Sequence, residues 1–294
     1  MIERIQLEVI LYHTISEVKE KVREWKRAGQ TIGLVPTMGA LHKGHASLIK
    51  AAREKCEKVV VSVFVNPIQF GPNEDFDKYP RTLDADLKLA QESGADLVFA
   101  PTPKEMYGEG VKLSNDLLTY VCPPFNYVDK LCGKSRPGHF DGVCTVVNKL
   151  FNIASPDYAF FGEKDAQQLI IIKKMVKDLN MNLEIVPCPI VRDDDGLAVS
   201  SRNTYLSEDA RKKAPTVYKA LCEVRNLISK GIDDRGILLD AAINVLDKDI
   251  ELEYLEFVNI YDLSISEKIS LKNLILIAVK LNGVRLIDNI FPKG

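Results

Sequence analysis

Residues 31–66 read TIGLVPTMGALHKGHASLIKAAREKCEKVVVSVFVN. A β-branched run at 31–37 leads into a glycine-bearing loop, an amphipathic segment at 44–56, and a second run at 59–66. From Val59 to Val65 that second run is nearly all valine. Apolar residues without alternation mark a strand covered on both faces, as in a parallel sheet. Strand, helix, strand is therefore read as a right-handed βαβ unit. The alternation continues outward, with strand-like runs at 96–101, 157–161 and 183–190 and helix-period segments at 82–93, 141–155 and 163–179. Thr82 suits an N-cap and Gly94 the left-handed residue that ends a helix. Ala166, Leu169, Ile172, Val176 and Leu179 recur at steps of three and four, the pattern of a core-facing stripe. The fold class is α/β, a doubly wound parallel sheet over 1–190.

From about residue 192 the texture changes. Segments 207–213, 216–230 and 235–247 have helical periodicity. A strand at 252–260 follows, then a hairpin of 274–281 with 284–289. Its turn is Asn282-Gly283, a strong hairpin signal between apolar runs. This makes 191–294 a second, smaller α+β domain. Between the strand at 96–101 and the helix at 141–155, the stretch 101–139 has no clear period and is expected to be a partly ordered excursion.

Composition narrows the function classes. The 294 residues are 46% hydrophobic, enough to bury a core without disulfide staples. With 39 basic against 41 acidic residues, the chain lacks the positive surplus of a nucleic-acid binder. There is no run of 18 apolar residues, and the start MIERIQLE has no apolar leader core. The expectation is a cytoplasmic protein with no membrane partner. Six scattered cysteines show neither C-x-x-C nor zinc spacing, and read as reduced, mostly packed thiols. No metal-ligand set is assigned.

In an open parallel sheet, ligands bind beyond the carboxyl ends of the strands. The residues hardest to explain as packing lie there: Pro36 to His45, Asn66 to Gly71, Gly162 to Gln168, and Val191 to Asn203. His42 and His45 stand three apart at a helix entrance, near unpaired amides and the positive end of the dipole, a setting for an anion. Gly39 and Gly44 let the backbone approach a ligand. The spacing from Gly39 to Gly44 mimics half of a Walker A loop, but His45 and Ala46 stand where that motif needs Lys and Ser or Thr. Lys164 opens a helix, where a cation is disfavoured unless an anion shares the site; a solvated lysine is the other reading. Ser200-Ser201-Arg202-Asn203 is a run of donors suited to polyphosphate, or an ordinary polar turn. Asp193-Asp194-Asp195 before Gly196 is either a metal site or a solvated turn. His13 has no such setting, and His139 stays open between structure and function.

These motifs resemble pantothenate synthetases (pantoate–β-alanine ligases) of the nucleotidyltransferase superfamily. The match runs through PTMGALHKGH, VFVNPIQFGPNEDFDKYPRT, RPGHFDGV, FFGEKDAQQL and DGLAVSSRN, dense over 31–205 and loose in the tail. The resemblance implies a Rossmann-like domain at 1–190 that binds nucleotide and pantoate, with 191–294 as a smaller lid domain. It implies ATP-dependent condensation of pantoate with β-alanine through a pantoyl adenylate, releasing pyrophosphate and then AMP. By it, Met38, Gly39, Ala40, Leu41, His42, Lys43, Gly44 and His45 line the ATP site, with His45 as proton donor and His42 at the phosphates. Gly162, Glu163, Lys164, Asp165, Val191, Val199, Ser200, Ser201 and Arg202 complete that site, with Lys164 catalytic. Gln69 would contact pantoate and β-alanine, Gln168 pantoate, and Asn66 the phosphates or the amine step. The family usually has Met where Val199 stands. Mg2+ carried with ATP and a homodimer are further implications.

Cations and oriented amides are what two anionic substrates require for approach. The adenylate must be kept from water, and segments 71–78 and 123–137 are candidate lids by composition. Two other readings remain at this point: another adenylylating nucleotidyltransferase using a different acid, and a nucleotide sensor that keeps the fold without turnover.

Overall fold

The computed structural model describes residues 8–72, 74, 76–109 and 118–292. In chain order the elements are β1 (Ile10–Tyr12), α1 (Ile15–Arg27), β2 (Ile32–Thr37), α2 (Lys43–Lys55), β3 (Lys58–Val63), α3 (Leu83–Ser93), β4 (Leu97–Phe99), α4 (Pro103–Tyr107), α5 (Phe125–Val128), α6 (Leu131–Ser135), α7 (His139–Ala154), β5 (Tyr158–Gly162), α8 (Ala166–Asp178) and β6 (Glu184–Cys188). They continue with α9 (Glu208–Lys213), α10 (Thr216–Ser229), α11 (Arg235–Val245), β7 (Ile250–Val258), β8 (Leu274–Leu281) and β9 (Val284–Ile290). The described residues fall into two compact units. One holds those up to Pro124 with Ser135–Phe161 and Ile171–Cys188; the other holds Phe125–Lys134, Gly162–Ile170 and those from Pro189 onward. No helix among the described residues is long and apolar enough to cross a membrane.

The first unit is built on a six-stranded parallel sheet in the order β1-β4-β3-β2-β5-β6. β2 pairs in parallel with β3 along its whole length, Ile32 opposite Lys58 through Thr37 opposite Val63. On its other side β2 pairs with β5, Gly33 opposite Tyr158. The chain moves outward from β2 through β3 to β4 on one side and from β5 to β6 on the other. The order therefore reverses between β2 and β5, the switch point at which open α/β sheets bind ligands. Val59 and Val61 of β3 pack with Val35 of β2, Ile49 and Ala52 of α2, Ala90 of α3 and Phe160 of β5 into one core. Burial on both faces is why the valine run carries no alternation.

Several boundaries depart from the sequence reading. β1 and α1 are absent from it, β1 because three residues are too few to carry a period. α1 nonetheless has a local signature: Thr14 and Glu17 form a reciprocal capping box. Thr82 does occupy the N-cap of α3, but its side chain makes no cap bond and turns to Asp86 instead. The stripe on 163–179 ends early. Glu163–Asp165 is a 3-10 turn, and Leu179 lies past the helix end and is 53% exposed, while Met175 is buried in its place. The stretch 101–139 contains α4, α5 and α6; its residues 110–117, like 1–7 at the start of the chain, lie outside those described.

In the second unit β7, β8 and β9 form an antiparallel sheet. Asn282 and Gly283 both have positive φ, 49° and 77°, as a two-residue hairpin turn of the primed type requires. One face of the sheet packs Phe257, Ile275, Ile277 and Val279 against Val217, Leu221 and Val224 of α10 and Leu238 of α11.

Candidate active site

In the first unit the chain leaves β2 at Thr37 and enters α2 at Lys43 through a loop held from outside itself. Gly39 and Ala40 both lie in the left-handed region, φ 84° and 49°. For Ala40 that costs energy and needs support. Asp86 of α3 supplies it: Oδ2 accepts the Ala40 amide at 3.0 Å and Oδ1 the Leu41 amide at 2.7 Å. Thr82 Oγ1 donates to the same carboxylate at 3.2 Å. Asp86 is only 1% exposed, so these three donors replace the water a carboxylate would otherwise keep. A Cβ on Gly39 would stand 3.0 Å from Asp86 Oδ2, which explains the glycine.

The loop delivers His42 to the N-cap of α2 and His45 to its third position. Gly44 N–H donates to His42 Nδ1 at 3.1 Å, and His42 N–H donates to His45 Nδ1 at 3.3 Å. Two imidazoles thus form a capping box, a task usually left to Ser or Thr with Glu. The rings stack with centroids 4.0 Å apart. Any side chain on Gly44 would meet the His42 ring at 2.9 Å. The chemical consequence concerns tautomers. An Nδ1 that accepts an amide bears a lone pair, so each neutral ring carries its proton on Nε2. The helix start therefore holds two imidazoles in the Nε2–H form.

After β3 comes a 3-10 turn, Pro67–Gln69. Asn66, 1% exposed, donates from Nδ2 to Gln69 Oε1 at 2.9 Å and to Gly142 O at 3.2 Å, and its Oδ1 accepts Tyr107 OH at 2.6 Å. Gln69 Nε2 in turn lies 3.1 Å from Met38 Sδ, which ties this turn to the β2 loop. α7 sits against the turn without a gap: a Cβ on Gly142 would fall 2.4 Å from Ile68 O and 2.6 Å from Gln69 Cα.

His139, left open by the sequence, is buried and structural. Its Nδ1 lies 2.9 Å from the Gln69 carbonyl, which can only accept, so Nδ1 carries the proton. Nε2 then accepts from Arg136 Nη1 at 2.8 Å. Arg136 also donates to both carboxylate oxygens of Glu74, Nε to Oε1 at 2.7 Å and Nη2 to Oε2 at 2.6 Å. Burial pushes the Glu74 carboxyl up, but the Arg136 hydrogen bonds and charge hold it below its ordinary value. Segment 71–78 is thereby anchored at Glu74; its residues 73 and 75 lie outside those described.

The second unit carries the remaining candidates. Gly162 ends β5 and leads into the 3-10 turn Glu163–Asp165, where Lys164 is half-buried. Among the described residues no carboxylate pairs with its ammonium. The peptide carbonyls of Glu163 and Lys164 both accept Asn289 Nδ2, at 2.9 Å each. Gln168 is half-buried on the first turn of α8, beside buried Gln167, whose Nε2 donates to Tyr127 O and Lys130 O within segment 123–137. Val191, Val199, Ser200, Ser201 and Arg202 share one loop, closed by Val199 N–H to Val191 O at 3.0 Å and by Asn203 Nδ2 to Ala198 O at 3.0 Å. Ser200 Oγ accepts the Arg202 amide at 3.3 Å and caps the 3-10 turn Ser201–Tyr205. Asp193 and Asp195 pair with Arg211, and Gly196 has φ 94° with its amide on Asp193 O. These contacts make 193–196 a turn held by Arg211.

Sequence reasoning missed Asp86, Tyr107, Gly142 and Asn289. Asp86 looks like a dipole-favoured acid in a first helical turn, and the others look like core or strand residues.

Comparison with known proteins agrees with the motifs. The family model for pantoate-beta-alanine ligase matches residues 10–291. The pantothenate synthetase of Acetivibrio thermocellus is 52% identical over 279 residues, covering 94% of this chain and 97% of that protein. That of Ruminiclostridium cellulolyticum is 51% identical, covering 94% and 96%. The crystal structure of the pantothenate synthetase from Thermus thermophilus superposes with a TM-score of 0.90 at 41% identity, covering 97% of this chain and all of that one. The pantoate-beta-alanine ligase of Francisella tularensis, solved with β,γ ATP and β-alanine, gives 0.78 at 34% identity, covering 97% and 99%.

Proposed function

This chain belongs to the pantoate–β-alanine ligase family, and on that premise we propose how its residues divide the work of joining pantoate to β-alanine with ATP. The observation that carries the reading is the pair His42 and His45, both Nδ1 atoms engaged by backbone amides at a helix start. Two Nε2–H donors and the positive end of α2 suit a polyphosphate better than any neutral ligand.

In the first half-reaction a pantoate carboxylate oxygen attacks the α-phosphorus of ATP. The bond from that phosphorus to the bridging oxygen breaks, and pyrophosphate leaves. His45, as the proton donor, offers its Nε2–H to the departing oxygen as a hydrogen bond, and His42 stands at the phosphates. Lys164 places its ammonium where negative charge gathers. Met38 to Leu41, Lys43 and Gly44 line the nucleotide with Gly162, Glu163 and Asp165. Val191 and Val199 to Arg202 hold the remainder of it. Such a displacement needs positioning and charge stabilisation more than covalent help. Magnesium carried by the ATP phosphates would offset part of their charge. In the second half-reaction the β-alanine amine attacks the acyl carbon, losing a proton, and the acyl–oxygen bond breaks to release AMP. Gln69 contacts pantoate and β-alanine and Gln168 contacts pantoate, while Asn66, which fixes the Gln69 amide, supports the phosphates or the amine step.

The test is ATP–pyrophosphate exchange. It is expected to require pantoate, and AMP release to require β-alanine as well. Exchange driven by another acid, or binding of ATP with no exchange, overturns the assignment. Assembly as a homodimer in the cytoplasm is part of the same proposal, and sedimentation of the purified chain tests the dimer.

A further inference from the structure

We infer that Asn289, near the end of β9, is the residue that positions Lys164. The inference rests on the reading of Lys164 given above. Asn289 is 1% exposed. Its single amide nitrogen donates both protons to consecutive carbonyls, Glu163 O and Lys164 O, each at 2.9 Å. These are the peptide groups of the very turn that presents the lysine, and in a three-residue 3-10 turn few internal bonds hold them. The amide oxygen, Oδ1, is buried and has no hydrogen-bond partner. Orientation therefore comes from the two donor contacts alone, and a flipped amide would set oxygen against two carbonyl oxygens.

The bracket is itself anchored. Asp288, the preceding residue of β9, is buried and receives Arg192 in a two-point pair, Nη1 to Oδ2 at 2.6 Å and Nη2 to Oδ1 at 2.9 Å. The same carboxylate accepts the Asn289 backbone amide at 2.8 Å. Arg192 stacks on the Tyr218 ring at 3.6 Å and follows Val191 directly at the base of the loop that carries 199–202. Two adjacent side chains of one strand, Asp288 and Asn289, thus hold the base of the 191–202 loop and the 163–164 turn in a fixed relation. A displacement on the order of 1 Å is enough to cost a positioned group much of its rate effect.

Asn289 touches no reacting atom, so its part is positional, and a double-mutant cycle tests it. Asn289→Asp is nearly isosteric but turns a carboxylate oxygen toward the two carbonyls. We expect it to lower the turnover number of pantoate-dependent ATP–pyrophosphate exchange by about 10- to 100-fold. The KM for β-alanine should stay unchanged. In a Lys164→Ala background the same change should add no further loss, because the group it positions is gone. Equal fold losses in both backgrounds, or full turnover in Asn289→Asp alone, overturn the inference. Full turnover in Lys164→Ala overturns the lysine reading itself, and the inference with it, so the two failures are distinguishable. Should Asn289→Asp not fold, Asn289→Ser, uncharged and too short to bridge both carbonyls, replaces it in the same cycle with the same criteria.

Discussion

The rings of His42 and His45 stack at 28° between planes, each accepting a backbone amide at Nδ1. The start of α2 therefore joins the helix cap to the chemistry proposed for these rings. The cap satisfies two amides that α2 would otherwise leave open, and the same bonds hold the protons on Nε2.

Capping and catalysis at this point are separable. Asn is among the best N-cap residues, so His42→Asn should restore the bond to the Gly44 amide while deleting the imidazole. Its thermal stability should match the parent, whereas His42→Ala should lose about 1 kcal/mol. Both should lower kcat by on the order of 10²–10³, as should His45→Ala, the scale for removing one transition-state donor. Steady-state turnover near the parental value in His42→Asn removes that ring from the mechanism.

Asp86 is expected to matter for rate although it lies behind the loop. Asp86→Asn must aim an NH2 group at one of the two amides of Ala40 and Leu41, leaving that half-buried amide unbonded. The cost should be about 1–3 kcal/mol in urea unfolding. Ala40 would then relax from φ 49°, moving the imidazoles, so kcat should fall at least tenfold. A variant that is destabilised but turns over normally would confine Asp86 to stability.

Gly142 is the tightest contact behind the glutamine turn. Gly142→Ala would place a methyl group 2.4 Å from Ile68 O and 2.6 Å from Gln69 Cα. Backbone cannot rotate away as a side chain tip can, so the turn must shift. We expect kcat/KM for pantoate to fall on the order of 10², with a loss of about 1–3 kcal/mol in stability. An unchanged KM for pantoate in this variant would show that Gln69 does not meet that substrate.

Glu74 sets an acid limb to stability. Burial raises its carboxyl, and Arg136 lowers it by more, so its native value lies below the ordinary 4.5. The unfolded chain then binds a proton more readily than the folded one. The resulting stabilisation is complete above pH 4.5 and is lost as pH falls through the depressed native value. Glu74→Gln should therefore be less stable than the parent at neutral pH and show a flatter stability curve on the acid side. Parallel curves for the two proteins across that range would be inconsistent with the Arg136 pair.

What was legible in the chain was legible because it is local. The valine run of β3, the period of α2, the Asn282-Gly283 turn and the cluster of polar residues after β2 all express interactions between near neighbours. The stripe breaks down at Leu179 because the helix stops there, an event the period alone does not announce.

His42 and His45 could be singled out from sequence, but their tautomers could not, since those depend on which ring nitrogen the backbone reaches. Asp86 reaches its amides across 46 and 45 positions in sequence, Tyr107 reaches Asn66 across 41, and Asn289 reaches Lys164 across 125. Such partners are chosen by how helices and strands stack, and a lone aspartate or asparagine carries no mark of it. Chain order and short-range periodicity were enough to locate the sheet and its carboxyl edge. Which buried polar groups hold that edge in working shape was settled only when packing brought distant donors and acceptors within hydrogen-bond range, where leaving either one unpaired is costly.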